Sequence, residues 1–311
     1  MGGPVATAPV TRTIFAMGGG GFTMEPDNPA LDEFVLGLSP APVPRICLLP
    51  TASGDADEQV RRFHATYGDR PCTPTDLSLF RLGRDPVDVE EHLLSQDIVY
   101  VGGGSLRNLL AIWREHGVDD ILRRAWERGT VLAGISAGAM CWFQGGVTTS
   151  SGVPAPARGL GLLPYSLSVH MDGEPARKPV YLEAVRTGKL PPGWAADDGV
   201  GLLFRDDAFV QAVSSRPRTG AIAVRPDGCA PVMVEQLTSR EHPMRARTAP
   251  SPRTRRTGRT PTRGRTTCRP TSSRRCSGRR CRCPCATARC ISARGRASTS
   301  ASCATTAAPG G

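Results

Sequence analysis

Val131-Leu-Ala-Gly-Ile-Ser136-Ala-Gly-Ala-Met140 is the stretch on which the reading of this chain turns. Five mostly apolar, strand-forming residues run into Gly-x-Ser-x-Gly and then into helix formers. A strand–turn–helix of this kind sets one serine on a sharp bend, its hydroxyl exposed and the following backbone N–H free to meet an oxyanion. Ser136 is therefore a candidate nucleophile, and hydrolysis through an acyl-enzyme is the first chemistry to consider. The pattern alone also fits an ordinary strand-to-helix connection in a chain with 35 glycines, so the flanking sequence has to decide.

Around this stretch, short apolar runs alternate with longer amphipathic ones. Thr13–Met17 reads as a strand ending in Gly18–Gly21, Arg45–Leu49 as a second strand, and Asp55–Tyr67 as a helix. Asp76–Phe80 reads as a third strand, Pro86–Ser95 as a helix, and Asp97–Val101 as a fourth strand closed by Gly102–Gly104. Ser105 then stands at an N-cap before a helix over Leu106–His116, and Asp119–Arg128 reads as another helix. Strands alternating with helices imply a mainly parallel sheet flanked by helices, an α/β fold. After His170 short strands over Gly201–Phe204, Phe209–Val213, Ala221–Val224 and Val232–Glu235 suggest an antiparallel extension.

Composition divides the chain in two. The net charge of +11 over 311 residues is uneven: residues 240–311 hold 18 arginines, no lysine and one acid, Glu241. The rest is mildly acidic, with 21 basic and 27 acidic residues. Beyond Met244 the only branched aliphatic is Ile291, and seven of the 11 cysteines crowd this region. Such a segment cannot bury enough apolar surface to offset its chain entropy. The expected division is a catalytic α/β domain over 1–238 and a disordered tail over 239–311. An arginine-rich arm for nucleic acid, a soft-metal site at Cys281-x-Cys283-x-Cys285, and out-of-frame translation of GC-rich coding sequence are the readings of that tail. The lack of lysine and aromatics favours the last, and nucleic acid is a partner only if the tail is a genuine product. Cys47, Cys72, Cys141 and Cys229 are scattered through the first part, mostly in apolar runs where a reduced thiol acts as a small hydrophobe. With neither a secretory signal nor a run of about 18 apolar residues, a cytoplasmic location and no membrane partner are expected.

A serine nucleophile needs a base, and neutral imidazole is the usual one. Of five histidines, His64, His92 and His116 fall on or at the ends of surface helices, and His242 opens the tail. His170, at the end of the apolar run Ser166–Val169, is left as the candidate. The standard α/β-hydrolase order, with a histidine late in the chain, would need His242 and is excluded. Ala137 N–H and the glycine turn at Gly103 and Gly104 are the candidate oxyanion donors. Phosphate binding by Gly18–Gly21 or Gly102–Gly104 is a weaker alternative, because neither run has the spacing of a nucleotide motif.

Val99-Tyr-Val-Gly-Gly-Gly104-Ser-x-x-Asn108, Gly134-Ile-Ser136-Ala-Gly, Gly159-Leu-Gly-Leu-Leu-Pro164, His170-x-Asp-Gly-Glu-Pro175-x-Arg177 and Ala196-Asp-Asp-Gly199 follow one another in the chain. In order and spacing they resemble the peptidase E (aspartyl dipeptidase) family, serine peptidase family S51, from about residue 10 to 236. The resemblance implies a fold similar to class I glutamine amidotransferases (flavodoxin-like), with cyanophycinases as relatives. It also implies hydrolysis of short peptides after an N-terminal aspartate, with no metal and no cofactor. Carried over, Ser136 is the nucleophile and His170 the base. The family's acid, often in Thr-Asp-Ser, falls here on Thr149 of Val147-Thr-Thr-Ser-Ser-Gly152, and Val169 stands where proline is usual. A neutral residue at that place cannot hold the imidazole, so Glu174, or Asp172, is expected to substitute and activity to be impaired. Arg177 is the candidate for binding a substrate carboxylate. Besides a small peptide, the partner expected is a second copy of the chain, as a homodimer. A cyanophycinase-like acyl hydrolase and an inactive relative are the competing readings.

Overall fold

The structure, a computed structural model, describes residues 10–238; the tail read as 239–311 lies outside the described residues. The expected strands appear as β1 (Thr13–Met17), β2 (Arg45–Leu49), β3 (Thr73–Asp76), β4 (Ile98–Val101) and β5 (Val131–Ile135). Between them lie α1 (Gly21–Met24), α2 (Ala30–Gly37), α3 (Asp57–Tyr67), α4 (Val89–Leu94), α5 (Leu106–His116) and α6 (Val118–Glu127). β5 leads into the short helix α7 (Ala137–Met140). The later elements are β6 (Phe143–Thr148), β7 (Ala155–Arg158), β8 (Leu163–Ser168), α8 (Arg177–Arg186), β9 (Gly193–Ala196), β10 (Val200–Arg205), β11 (Ala208–Ser214), β12 (Ala221–Arg225), β13 (Gly228–Val232) and β14 (Val234–Gln236).

The first five strands form the parallel heart of an eight-stranded sheet of order β14-β11-β10-β1-β5-β4-β2-β3. Their continuous apolar runs follow from burial on both faces. Alternate residues serve opposite cores: Ile14, Ala16, Val99, Val101 and Leu132 pack on one side with Leu109, Trp113 and Leu122 of α5 and α6. Phe15, Met17, Ile98, Tyr100 and Ala133 pack on the other with Leu31, Val35, Phe63 and Tyr67 of α2 and α3. The chain is thus a mixed α/β protein, as expected.

Four expectations shift, one of them the helix read as Pro86–Ser95, which forms over Val89–Leu94 with Asp88 as its cap. The third strand covers Thr73–Asp76 rather than Asp76–Phe80. Pro74 is accommodated because β3 is an edge strand, where the missing N–H costs no ladder bond. Helix α3 starts at Asp57 because Asp55 takes a left-handed backbone, φ 58°. The late strands do not simply extend one sheet. β12 and β13 join β6–β9 in a second sheet of order β13-β12-β9-β8-β6-β7, packed on α8 through Val147, Tyr181, Val185 and Val224. β10 and β11 return to the first sheet, β10 antiparallel to β1. Residues 197–199 therefore link the two sheets. Cys47 and Cys141 are buried as small hydrophobes, burial pushing the Cys47 thiol up to about 12, while Cys229 is exposed.

The turn after β1 is pinned by a buried acid. Tyr67 donates its hydroxyl to Asp32 Oδ1 at 2.8 Å beneath Gly21, which has φ 54°. Burial, opposed in part by the Tyr67 and Phe22 hydrogen bonds, raises the Asp32 carboxyl from 3.8 to about 6. The folded state therefore holds this proton more tightly than the unfolded chain. Its stabilisation is complete below pH 4 and is lost as pH rises through about 6, a loss on the order of 3 kcal/mol. Urea titrations should show Asp32→Asn gaining stability over wild type between pH 5 and pH 8. A difference that does not change with pH would contradict this assignment.

Candidate active site

β5 ends at Ile135 and leads into Ser136, whose backbone takes φ 57°, ψ −116°, a strained combination for a residue with a side chain. Neighbouring backbone holds it there: Ser136 N–H donates to Met17 O at 3.0 Å, and Met140 N–H closes the first turn of α7 on Ser136 O. Both flanking glycines are required by close approach. A Cβ on Gly134 would lie 2.1 Å from Gly138 O, and one on Gly138 would lie 2.2 Å from Val101 O. The Gly-x-Ser-x-Gly spacing is thus the steric condition for a serine raised at the carboxyl edge of the sheet.

His170 arrives from the second sheet. β8 ends at Ser168, buried Val169 follows, and His170 turns into the left-handed region at φ 59°. Its Nε2 lies 2.8 Å from Ser136 Oγ. β9 runs parallel to β8, pairing Ser168 with Ala195, so the residues just beyond β9 come out beside His170. Asp198 is there, 8 % exposed, with Oδ1 2.5 Å from His170 Nδ1. The network assigns the proton to Nδ1, which donates to the carboxylate, and leaves Nε2 to accept from the serine hydroxyl. An imidazole in this tautomer can take the hydroxyl proton, and the carboxylate can stabilise the imidazolium that results.

Asp198 is itself positioned. Its backbone N–H donates to Asp172 Oδ1 at 2.9 Å. Gly19 lies against it so closely that a Cβ there would be 2.0 Å from Asp198 Oδ1, and a Cβ on Gly18 would be 2.2 Å from Asp197 O. The Gly18–Gly21 run, weighed above as a phosphate cradle, accommodates Asp197 and Asp198. Burial pushes the neighbouring Asp197 carboxyl up, against the pull of a hydrogen bond from Gly220 N–H, with Asp172 and Asp198 adding to the rise.

The other expected residues divide. Gly103 borders the nucleophile: a Cβ there would lie 3.2 Å from Ser136 Cβ. Its N–H has no hydrogen-bond partner among the described residues, and Ala137 N–H is one of those a helix start leaves open. Gly104, φ 145°, packs on Ala52 O instead, where a Cβ would come within 2.1 Å.

Glu174 is not placed at His170. Both of its carboxylate oxygens accept from Arg177 at 2.8 and 2.9 Å. Burial opposes its charge, but the Arg177 hydrogen bonds and charge prevail and hold it below the usual carboxylate range. Arg177 is not free for a substrate: its side chain is 5 % exposed, and it also donates to Val147 O at 3.2 Å and to Thr149 Oγ1 at 2.9 Å. Thr149 therefore completes the Arg177 cluster, and the carboxylate at His170 comes from the link between β9 and β10. The expectation of an impaired enzyme rested on Thr149 and loses its basis here. Asp198 had a signal, since Ala196-Asp-Asp-Gly199 was among the motifs. What gives it a role is the pairing of β8 with β9, which local pattern does not encode.

Among the described residues no helix is long and apolar enough to cross a membrane. Against known proteins, the model of Peptidase family S51 matches residues 14–212. The uncharacterized peptidase YgaJ of Bacillus subtilis (strain 168) is 48 % identical over 214 residues, covering 69 % of this chain and 91 % of that protein. The crystal structure of a peptidase from an acI-B1 Actinobacterium superposes with a TM-score of 0.57 at 16 % identity, over 73 % of this chain and 96 % of that one, a likeness of fold. With the family's model spanning most of the described residues and a relative matched at nearly half its positions, this chain belongs to peptidase family S51.

Proposed function

We propose that this peptidase is of the serine type and hydrolyses short peptides, dipeptides with N-terminal aspartate among them, through an acyl-enzyme on Ser136. The observation that carries the reading is the line of Ser136 Oγ, His170 and Asp198, with separations of 2.8 and 2.5 Å. Ser136 Oγ attacks the peptide carbonyl as His170 Nε2 takes its proton. The tetrahedral oxyanion is met by the N–H groups of Ala137 and Gly103, a donor of this kind contributing about 2.7–4 kcal/mol to the transition state. His170 then returns the proton to the leaving amine, which departs as the C–N bond breaks. Water, deprotonated by the same nitrogen, attacks the acyl carbonyl and releases the acid. Asp198 keeps the ring in the working tautomer throughout. The unpaired thiols of Cys72 and Cys229, not wholly buried, suit a reducing, cytoplasmic setting.

A panel of Asp-X, Glu-X, Ala-X and β-linked Asp-Arg dipeptides tests the proposal. The expected result is release of both amino acids from α-linked dipeptides, fastest for Asp-X. Cleavage of the β-linked substrate alone would favour a cyanophycinase-like acyl hydrolase, and failure to cleave any would overturn the reading.

A further inference from the structure

With Arg177 committed to Glu174, Thr149 and Val147, its guanidinium is not available to an acidic substrate. The loop after β11 carries another cation, Arg216, to a place beside Asp198. β11 ends at Ser214, whose hydroxyl accepts from Arg216 N–H at 3.0 Å and so fixes the turn that carries Arg216. The stem of Arg216 lies on Gly199, next to Asp198: a Cβ on Gly199 would meet its Cγ at 2.8 Å. The Nε donates to Glu25 Oε1 at 2.7 Å, and Ser215 Oγ donates to the other oxygen of Glu25 at 2.7 Å. Glu25 is 11 % exposed and Arg216 31 %.

Glu25 thus occupies only the Nε of the guanidinium. Neither Nη has a hydrogen-bond partner among the described residues. The acids that face the group are Glu25, Asp172 and Asp198, which together hold its charge firmly. A half-buried guanidinium, aimed by one acid and presenting two open Nη atoms, matches a carboxylate bidentately.

We propose that Arg216 is the specificity-determining residue of this site, its Nη edge binding a carboxylate of a short acidic peptide. The proposal rests on Ser136 acting on such peptides. Two carboxylates of a dipeptide offer this chemistry, the aspartyl side chain and the C-terminus. Asp-Leu compared with Asn-Leu reports the first, and Asp-Leu compared with the amide of Asp-Leu reports the second.

Steady-state kinetics on these three substrates, with wild type, Arg216→Ala and Arg216→Lys, provide the test. Wild type is expected to favour Asp-Leu over at least one neutral analogue by roughly ten- to a hundred-fold in kcat/KM. Arg216→Ala should bring that ratio close to one, mainly through KM. Arg216→Lys retains a cation for Glu25, and with it folding, but lacks the planar fork, so it should keep only part of the ratio. Circular dichroism identifies folded variants. Cleavage by wild type without preference for either carboxylate, or an undiminished ratio in both folded variants, overturns the anchor and leaves the peptidase reading standing. No cleavage of any of the three by wild type removes that reading, and the anchor with it.

Discussion

Ser136→Ala is expected to lower peptide turnover by roughly 10⁶, to the level left by binding and the oxyanion donors alone. The size of the loss follows from the pairing of His170 Nε2 with Ser136 Oγ at 2.8 Å, no other hydroxyl bonding that nitrogen among the described residues. Folding should survive, because the strained turn is held by backbone bonds to Met17 O and from Met140 N–H that the substitution does not touch. Alanine also relieves no clash, since Gly134 and Gly138 already provide the clearance the elbow needs. Comparing dipeptide hydrolysis and thermal unfolding for the two proteins checks both halves: near-total loss of the first, little change in the second.

Asp198→Asn should lower kcat by about 10⁴. An amide at this place can donate to Nδ1 and favour the tautomer whose Nε2 carries a proton, which can no longer accept one from Ser136. It also withdraws the negative charge that stabilises the imidazolium. Glu174→Gln provides the contrast. Its carboxylate serves Arg177 at 2.8 and 2.9 Å, so its removal should reduce stability and leave turnover far less affected. A larger kinetic loss in Glu174→Gln than in Asp198→Asn would reverse the assignment of the acid. Single-turnover measurements of acylation distinguish the cases without interference from product release.

Much of this was readable from the chain. The central strands announce themselves as apolar runs because both faces of the sheet are covered, and the elbow announces itself because its glycines are demanded by approaches near 2 Å. Ser105 caps α5 as its position suggested, accepting from Asn108 N–H. His170 could be reached by elimination among five histidines. What was hidden depends on which strands become neighbours. Asp198 meets His170 because β9 lies parallel to β8 in a second sheet, and sequence proximity pointed instead to Glu174, four residues from His170. The same proximity made Arg177 look like a substrate ligand, although burial had already given its donors to Glu174, Thr149 and Val147. Arg216 lies outside every motif and comes beside Asp198 through the antiparallel return of β10 and β11.

Mass spectrometry of the folded protein after exposure to a fluorophosphonate tests the activation of Ser136 most directly, since an unactivated serine does not react on the same timescale. One adduct mapping to the segment that contains Ser136, and strongly slowed in Asp198→Asn, is the expected result. A folded wild-type protein that takes up no label, or takes it up at another residue, would contradict the Ser136–His170–Asp198 assignment.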